Sequence, residues 1–157
     1  MELILWRHAD AEAPGLRPDA PDLQRELTAL GRRQAAHVAD WLNVRLPEQC
    51  RILCSPAVRA QQTVDLLERD YHVSAAIGPG AEPRALLAVA GWPDRHGAVL
   101  VVAHQPTLGR TASLVLCGRE QEWAIPRGAL WWFELVSLEQ QYGLCLKAVV
   151  TPALTLK

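Results

Sequence analysis

Short apolar runs alternate with stretches of helical periodicity along this chain, and this alternation limits the fold more than any other feature of the sequence. Residues 3–6, 51–54 and 98–103 each have the length and largely aliphatic character of a buried strand. A run that is apolar throughout, as 98–103 is, is typical of parallel sheets, because helices cover both faces of such sheets. The alternation therefore predicts an α/β domain with a mostly parallel central sheet.

The segments after the first two runs carry the signals of helix starts. Thr28 is a suitable N-cap for a helix that extends to about Leu46, and the apolar residues of this helix recur at intervals of three and four. Ser55 followed by Pro56 has the order of an N-cap and a first-turn proline. This pair predicts that a second helix begins there.

Two further helices and a hairpin are predicted in the C-terminal half. A short helix is expected over 83–90, and another is expected to open at the turn 104–106. The aromatic and aliphatic runs 129–136 and 144–150 are joined by a segment short enough for an antiparallel hairpin. The complete prediction is a three-layer α/β/α sandwich with a mostly parallel central sheet and an antiparallel C-terminal hairpin.

Composition narrows the functional classes. A chain of 157 residues that is 50% apolar suits a single domain over 1–157. A net charge of -1 argues against a partner that is a nucleic acid or a membrane surface, since both favour basic proteins. The longest aliphatic run is too short to span a membrane, and the N-terminus lacks the pattern of a signal peptide. With no CxxC pair among its cysteines, the chain is expected to be cytoplasmic, with reduced thiols.

Basic side chains follow three of the predicted strands. Arg7 and His8 come directly after the first strand, Arg59 lies shortly after the second, and His104 comes directly after the third. Because ligands of open parallel sheets bind beyond the carboxyl ends of the strands, we expect these four residues to gather at one edge of the sheet.

Two arginines and two histidines suit a phosphoryl group. Guanidinium groups bind its charged oxygens bidentately, one imidazole can attack phosphorus, and the other can donate a hydrogen bond to an oxygen. Nearby arginines lower the pKa of the attacking histidine, and a backbone carbonyl that accepts from its other ring nitrogen fixes its tautomer. Such a site needs no metal or other cofactor, because arginine and histidine stabilise the developing charge.

Four motifs, in order, resemble those of the histidine phosphatase superfamily, and most closely those of its SixA-type phosphohistidine phosphatases. They are LWRHADAE at 5–12, RELTALGRRQA at 25–35, SPAVRAQQT at 55–63 and VVAHQP at 101–106. The resemblance runs from about residue 3 to residue 111.

This resemblance implies a role for each matching residue. His8 is the expected nucleophile that becomes phosphohistidine, and Arg7, Arg59 and His104 are the expected phosphoryl-binding residues. Arg25 is an expected further phosphate contact. The fold that the resemblance implies is the α/β/α sandwich.

The sequence departs from the superfamily pattern at two points. Ala9 stands where the first motif usually has glycine, so the turn after His8 must be compatible with a negative φ or be slightly strained. The long insertion that carries the general acid in the larger mutase-like members does not fit between residues 77 and 98.

The identity of a general acid is therefore open. The candidate carboxyl groups are those of Asp10, Glu12, Glu82 and Asp94. An ester oxygen is a poor leaving group unless it is protonated, whereas the imidazole of a phosphohistidine leaves more readily. A site without a strong acid therefore favours phosphohistidine over ester substrates.

The leading hypothesis is a metal-independent phosphohydrolase that acts through a phosphohistidine on His8. Its expected partner is a phosphohistidine on a signalling protein, such as a histidine-containing phosphotransfer domain. One alternative is a phosphomonoesterase for small phosphorylated substrates, and another is a catalytically weak phosphate-binding module. A third is a metallohydrolase with His8, Asp10 and His104 as ligands.

Overall fold

The fold is built on a six-stranded mixed sheet. In the computed structural model, which describes residues 1–17, 19, 21–139 and 141–155, the strand order is β3-β2-β4-β1-β5-β6. The strands are β1 (Glu2–Arg7), β2 (Arg51–Cys54), β3 (His72–Val73), β4 (Ala98–Ala103), β5 (Leu130–Leu138) and β6 (Gln141–Val150). The four strands β1 to β4 are joined by parallel pairings, and β5 and β6 add antiparallel pairings at one edge. The predicted mostly parallel sheet with a C-terminal hairpin is confirmed.

Helices lie along both faces of this sheet. They are α1 (Ala29–Asn43), α2 (Val58–Val64), α3 (Pro83–Ala90), α4 (Thr107–Cys117) and α5 (Pro152–Thr155). Side chains of β1 alternate between the two faces, because successive residues of a strand point in opposite directions. Ile4 and Trp6 join the core that contains the apolar stripe of α1, whereas Leu3 and Leu5 join the core that contains Leu86 of α3. The sheet is thus buried on both faces, as the aliphatic runs predicted.

Most predicted boundaries agree with the structure to within a few residues. The helix 83–90 and the strands 51–54 and 98–103 have the predicted bounds. The side chain of Thr28 accepts a hydrogen bond from the N–H of Gly31 and so caps α1, as predicted. The helix ends at Asn43 rather than near residue 46.

The prediction that Ser55 caps the second helix is wrong. α2 begins at Val58, and the residue before it, Ala57, makes no capping hydrogen bond through its side chain. The hydroxyl of Ser55 instead accepts from the N–H of Ala57, which leaves 55–57 as a bend before the helix. α4 begins at Thr107, directly after the turn 104–106, as predicted.

Sequence patterns did not reveal the strand β3, which consists of His72 and Val73. The strand has only two residues and both are exposed, so it has no apolar pattern to detect. A short 3-10 helix, Asp22–Gln24, precedes α1. Among the helices of the described residues, none combines the length and the apolar character that crossing a membrane requires.

The sheet register brings the ends of its central strands side by side. Arg7 at the end of β1 is paired with Ala103 at the end of β4, and Cys54 at the end of β2 is paired with Val102. The next residues continue the ladder, since the N–H of His8 donates to Ala103 O and the N–H of Ser55 donates to Val102 O. His8, Ser55 and His104 therefore follow three neighbouring strands at one edge of the sheet.

Candidate active site

His8 has a defined tautomer in this structure. Its Nδ1 lies 2.8 Å from the carbonyl oxygen of Ala9. A carbonyl oxygen can only accept, so Nδ1 carries the proton and Nε2 keeps its lone pair. The ring is 6% exposed. His8 therefore presents an unprotonated nitrogen in a nearly buried position.

The alanine after His8 fits its turn without backbone strain. Ala9 is fully buried in the core on the α1 side. Among the described residues other than glycine, only Glu68 has a positive φ, so the turn at Ala9 does not use the left-handed region. The N–H of Ala9 donates to the hydroxyl of Thr63 at 3.1 Å, which ties this turn to α2.

His104 lies beside His8. The two ring centroids are 5.1 Å apart, and the planes are inclined by 53°. His104 Nε2 lies 2.6 Å from the hydroxyl oxygen of Ser55, and its Nδ1 lies 3.5 Å from Nη2 of Arg59. These contacts hold a second imidazole, 3% exposed, against the first.

Arg59 and Arg7 complete the group of four. The side chain of Arg59 is 3% exposed, and its Nη1 donates to the backbone oxygen of Asp22 at 2.8 Å. Nη1 of Arg7 donates to the carbonyl oxygen of Ile125 at 2.8 Å. The Nε atoms of both arginines are buried and have no hydrogen-bond partner among the described residues. An unpaired buried donor costs stability, and a hydrogen bond to an oxygen of a bound anion would remove that cost for each Nε.

Burial and positive charge keep both imidazoles neutral. Burial, followed by the charges of Arg59, Arg7 and Arg127, lowers the pKa of His8 to about 4, against the opposing effect of the Ala9 hydrogen bond. Burial, followed by His8 and Arg59, lowers the pKa of His104 to about 3. At neutral pH the site therefore combines cationic guanidinium groups with two uncharged imidazoles, and an attacking histidine must be uncharged.

Arg25 and Arg59 are linked through the carboxylate of Asp22. Nε of Arg25 donates to Oδ1 of Asp22 at 2.7 Å, while Nη2 of Arg59 donates to Oδ2 of the same carboxylate at 3.1 Å. Nη1 of Arg25 donates to the backbone oxygen of Glu12 at 2.6 Å. Asp22 thus joins the two arginines. Sequence analysis did not single it out, because one aspartate in a Pro-rich loop has no distinguishing pattern.

Of the candidate acids, Asp10 lies nearest to His8 in the chain, and it is ionised. Its Oδ2 accepts from the hydroxyl of Thr28 at 2.7 Å, and its Oδ1 is bound by Nη1 of Arg127. Although burial raises the pKa of Asp10, these two hydrogen bonds hold it below its ordinary value. An ionised carboxylate cannot donate a proton to a leaving group.

The remaining candidates face other partners. Glu12 is paired with Arg17 at 2.8 Å. Glu82 is 70% exposed and lies 3.9 Å from Arg110, and Asp94 lies in an exposed turn.

For the metallohydrolase alternative, the described residues contain no group of three or more His, Cys, Asp or Glu side chains placed to hold a metal ion. The contacts of Asp10 with Thr28 and Arg127 keep its carboxylate occupied by protein groups.

Comparison with known proteins identifies the family of this chain. The family model of the histidine phosphatase superfamily (branch 1) matches residues 3–82. An uncharacterized protein of Mycobacterium leprae is 31% identical over 122 residues, which cover 71% of each chain. A phosphohistidine phosphatase SixA homolog of Haemophilus influenzae is 31% identical over 124 residues, which cover 69% of this chain and 73% of the relative.

Solved structures share the fold over nearly the whole chain. The putative phosphohistidine phosphatase SixA of Nakamurella multipartitia superposes with a TM-score of 0.74 at 27% identity, covering 96% of this chain and 95% of its own. The protein histidine phosphatase SixA complexed with tungstate superposes with a TM-score of 0.76 at 23% identity, covering 98% of both chains. The chain belongs to the histidine phosphatase superfamily. Within this superfamily it is a phosphatase of the SixA-like type.

Proposed function

We propose that this phosphatase hydrolyses phosphohistidine through a phosphoryl intermediate on its own His8. The observation that carries the proposal is the state of the His8 ring. Nδ1 is held by Ala9 O, so the lone pair of Nε2 is available beside His104. The unpaired Nε donors of Arg7 and Arg59 supply hydrogen bonds for the phosphoryl oxygens.

The reaction takes place in two displacements at phosphorus. In the first, the lone pair of His8 Nε2 forms a bond to phosphorus, and the bond from phosphorus to the substrate nitrogen breaks with its electron pair on the substrate imidazole. In the second, water attacks phosphorus, and the bond to Nε2 breaks with its electron pair returned to His8. Both protons of the water are left on the phosphate product, which leaves as H₂PO₄⁻, and the Nδ1 proton stays on His8. Arg7 and Arg59 stabilise the charged oxygens in both steps. His104 adds its Nε2–H when that donor exchanges Ser55 Oγ for a phosphoryl oxygen.

The leaving group favours phosphohistidine over a phosphate ester. The ring nitrogen of phosphohistidine that carries no phosphoryl group can take a proton from water, so the imidazole leaves uncharged. An ester oxygen leaves as an alkoxide unless an acid protonates it. The ionised state of Asp10 supports this choice. The relative from Haemophilus influenzae, which is named a phosphohistidine phosphatase, supports it as well.

We further propose that the phosphohistidine is carried by a protein, namely a histidine-containing phosphotransfer domain. Between residue 77 and β4 the chain forms only the helix α3 and its flanking turns. This segment is too short to build a large cover over the site, so a side chain on a protein surface can reach His8.

Trapping of the intermediate tests the proposal. The enzyme is mixed with a phosphohistidine protein that carries labelled phosphate, and the reaction is rapidly quenched. Acid-labile label is then expected on the wild-type enzyme, and none is expected on His8→Ala. Absence of label on the wild type during turnover would contradict the role of His8. Binding of the phosphoprotein without any turnover would identify a phosphate-binding module instead.

A substrate panel tests the specificity. It compares a phosphorylated phosphotransfer domain, a phosphotyrosine peptide, sugar phosphates and a generic aryl phosphate. The phosphotransfer domain is expected to have the highest kcat/KM. A higher value for a sugar phosphate would identify a small-molecule phosphomonoesterase.

A further inference from the structure

The loop 125–129 is bonded to the first motif through hydrogen bonds of its backbone. The N–H of Gly128 donates to the backbone oxygen of His8 at 3.1 Å, and Gly128 O accepts from the indole of Trp6 at 2.9 Å. The carbonyl of Ile125 accepts from Arg7. Arg127 therefore lies in a loop that is bonded directly to the nucleophile and to a phosphoryl-binding arginine.

The guanidinium of Arg127 has a defined position at the surface. Its Nη1 is ion-paired with Oδ1 of Asp10, whose other oxygen is held by Thr28. The side chain of Arg127 is 47% exposed, whereas that of Arg59 is 3% exposed. Arg127 thus presents a fixed positive charge at the rim of the site, while Arg59 acts from within it.

This charge acts on the site itself. The positive charge of Arg127 lowers the pKa of His8 and that of Arg7, although burial is the larger cause in both cases. The charge of an arginine on a distant surface would be screened by water and would not affect the pKa of either group. Arg127 lies outside the four motifs and far along the chain from His8, so no sequence pattern points to it.

We propose that Arg127 is a specificity-determining residue that binds a carboxylate on the leaving-group part of the substrate. A guanidinium has five N–H donors, and Asp10 accepts from Nη1 alone. The other N–H donors of this exposed guanidinium can form the bidentate pair that arginine makes with carboxylates. Taken together with the proposed function, this predicts that the preferred phosphohistidine has an acidic side chain beside it.

A matched pair of aryl phosphates tests the inference without a protein substrate. Phenyl phosphate and 2-carboxyphenyl phosphate differ only in the carboxylate. The ortho carboxylate also changes the intrinsic reactivity of the ester, so its recognition is measured by the change in the ratio of their kcat/KM values between the wild type and a variant. We expect this ratio to fall at least fivefold in Arg127→Gln and to fall less in Arg127→Lys. Arg110→Gln is the control, because Arg110 is also ion-paired to a carboxylate, that of Glu120 at 2.6 Å, but lies on α4. Its ratio is expected to equal that of the wild type.

A purely structural role for Arg127 gives a different result. Loss of the Asp10 ion pair would lower kcat/KM for both substrates equally, so an unchanged ratio in Arg127→Gln would overturn the inference. Binding gives a second readout that needs no turnover. The dissociation constants of phenylphosphonate and 2-carboxyphenylphosphonate are expected to show the same fivefold loss of discrimination.

Phosphohistidine peptides test the role of Arg127 and the proposed substrate independently of each other. Peptides with glutamate or alanine beside the phosphohistidine are expected to differ in kcat/KM with wild type and to differ less with Arg127→Gln. If no phosphohistidine peptide is hydrolysed while the aryl ratio still falls, the proposed substrate is wrong and the role of Arg127 stands. If the peptides are hydrolysed and neither ratio changes, the role of Arg127 is wrong.

Discussion

At the scale of single residues, the chemistry of this protein depends on which polar groups are paired and which are not. The Nδ1 proton of His8 is committed to Ala9, whereas Nε of Arg7 and of Arg59 have no partner among the described residues. A paired group is held in place, and an unpaired buried donor is ready for an anion. The site is therefore prepared for a charged oxygen by the pattern of its hydrogen bonds.

Arg59→Ala is expected to lower kcat by roughly 10²–10³-fold, because a preorganised donor to the transferring phosphoryl group is lost. The measurement is the steady-state rate with an aryl phosphate, together with a thermal melt to show that the variant is folded. Arg59→Lys keeps the charge but loses the Nε donor, so it is expected to recover only part of the rate. A kcat near that of the wild type in Arg59→Ala would contradict the proposed role.

Ser55→Ala is expected to lower kcat/KM by about tenfold, because its hydroxyl is the 2.6 Å partner that orients His104. Ser113→Ala is the matched control. Ser113 is also fully buried, but its hydroxyl bonds to backbone groups of Arg110 and Gln121. The control is expected to lose stability and to keep its activity. Equal activity losses in the two variants would show that Ser55 acts only on the fold.

At the scale of elements, the first motif is positioned by the close approach of α1. A Cβ atom added at Gly31 would lie 1.9 Å from the backbone oxygen of Asp10, which is closer than any real contact. The same oxygen accepts from the N–H of Thr28, the N-cap of α1. The helix start and the turn after His8 therefore form one packed unit, in which only glycine fits at position 31.

Gly31→Ala is expected to destabilise the protein by about 1–3 kcal/mol, as overpacking against a backbone atom does. Helix propensity alone predicts the opposite sign, since alanine is about 1 kcal/mol better than glycine within a helix. Urea unfolding measures the difference. The exposed helical position Arg33→Ala is the control and is expected to change little. Stabilisation by Gly31→Ala would show that the backbone of Asp10 moves freely away from the helix.

At the scale of the whole molecule, folding keeps two histidines uncharged. The pKa values of His8 and His104, about 4 and about 3, lie below the ordinary value of 6.5. Below pH 6.5 the two imidazoles become protonated in the unfolded chain but stay uncharged in the folded chain, so the free energy of unfolding falls with falling pH. This loss extends from about pH 6.5 down to the folded pKa values.

Acidification is therefore expected to weaken the fold by about 4 kcal/mol between pH 6.5 and 4.5, roughly 2 kcal/mol through each of these two histidines. Urea unfolding at a series of pH values measures this loss. His104→Gln removes one of the two groups, so its free energy of unfolding is expected to fall less steeply over the same range. A slope equal to that of the wild type would show that His104 is not held uncharged by the fold.

Much of the architecture could be predicted because strands and helices leave periodic patterns. The aliphatic run of β4 and the apolar stripe of α1 indicated their elements closely. The start of α2 was predicted wrongly, because the hydroxyl of Ser55 serves His104 and the bend rather than the helix. β3 was missed, because two exposed residues have no pattern.

Sequence patterns predicted most of the strands and helices, though not β3, and they predicted that Arg7, His8, Arg59 and His104 gather at one sheet edge, because residues that follow parallel strands emerge there. The contacts of Asp22 with Arg25 and Arg59, and the contact of Arg127 with Asp10 across 117 positions of the chain, are visible only in the folded structure. Asp22 lies in a three-residue 3-10 helix and Arg127 lies in a loop, and the positions of such segments depend on packing against distant elements and leave no periodic signal.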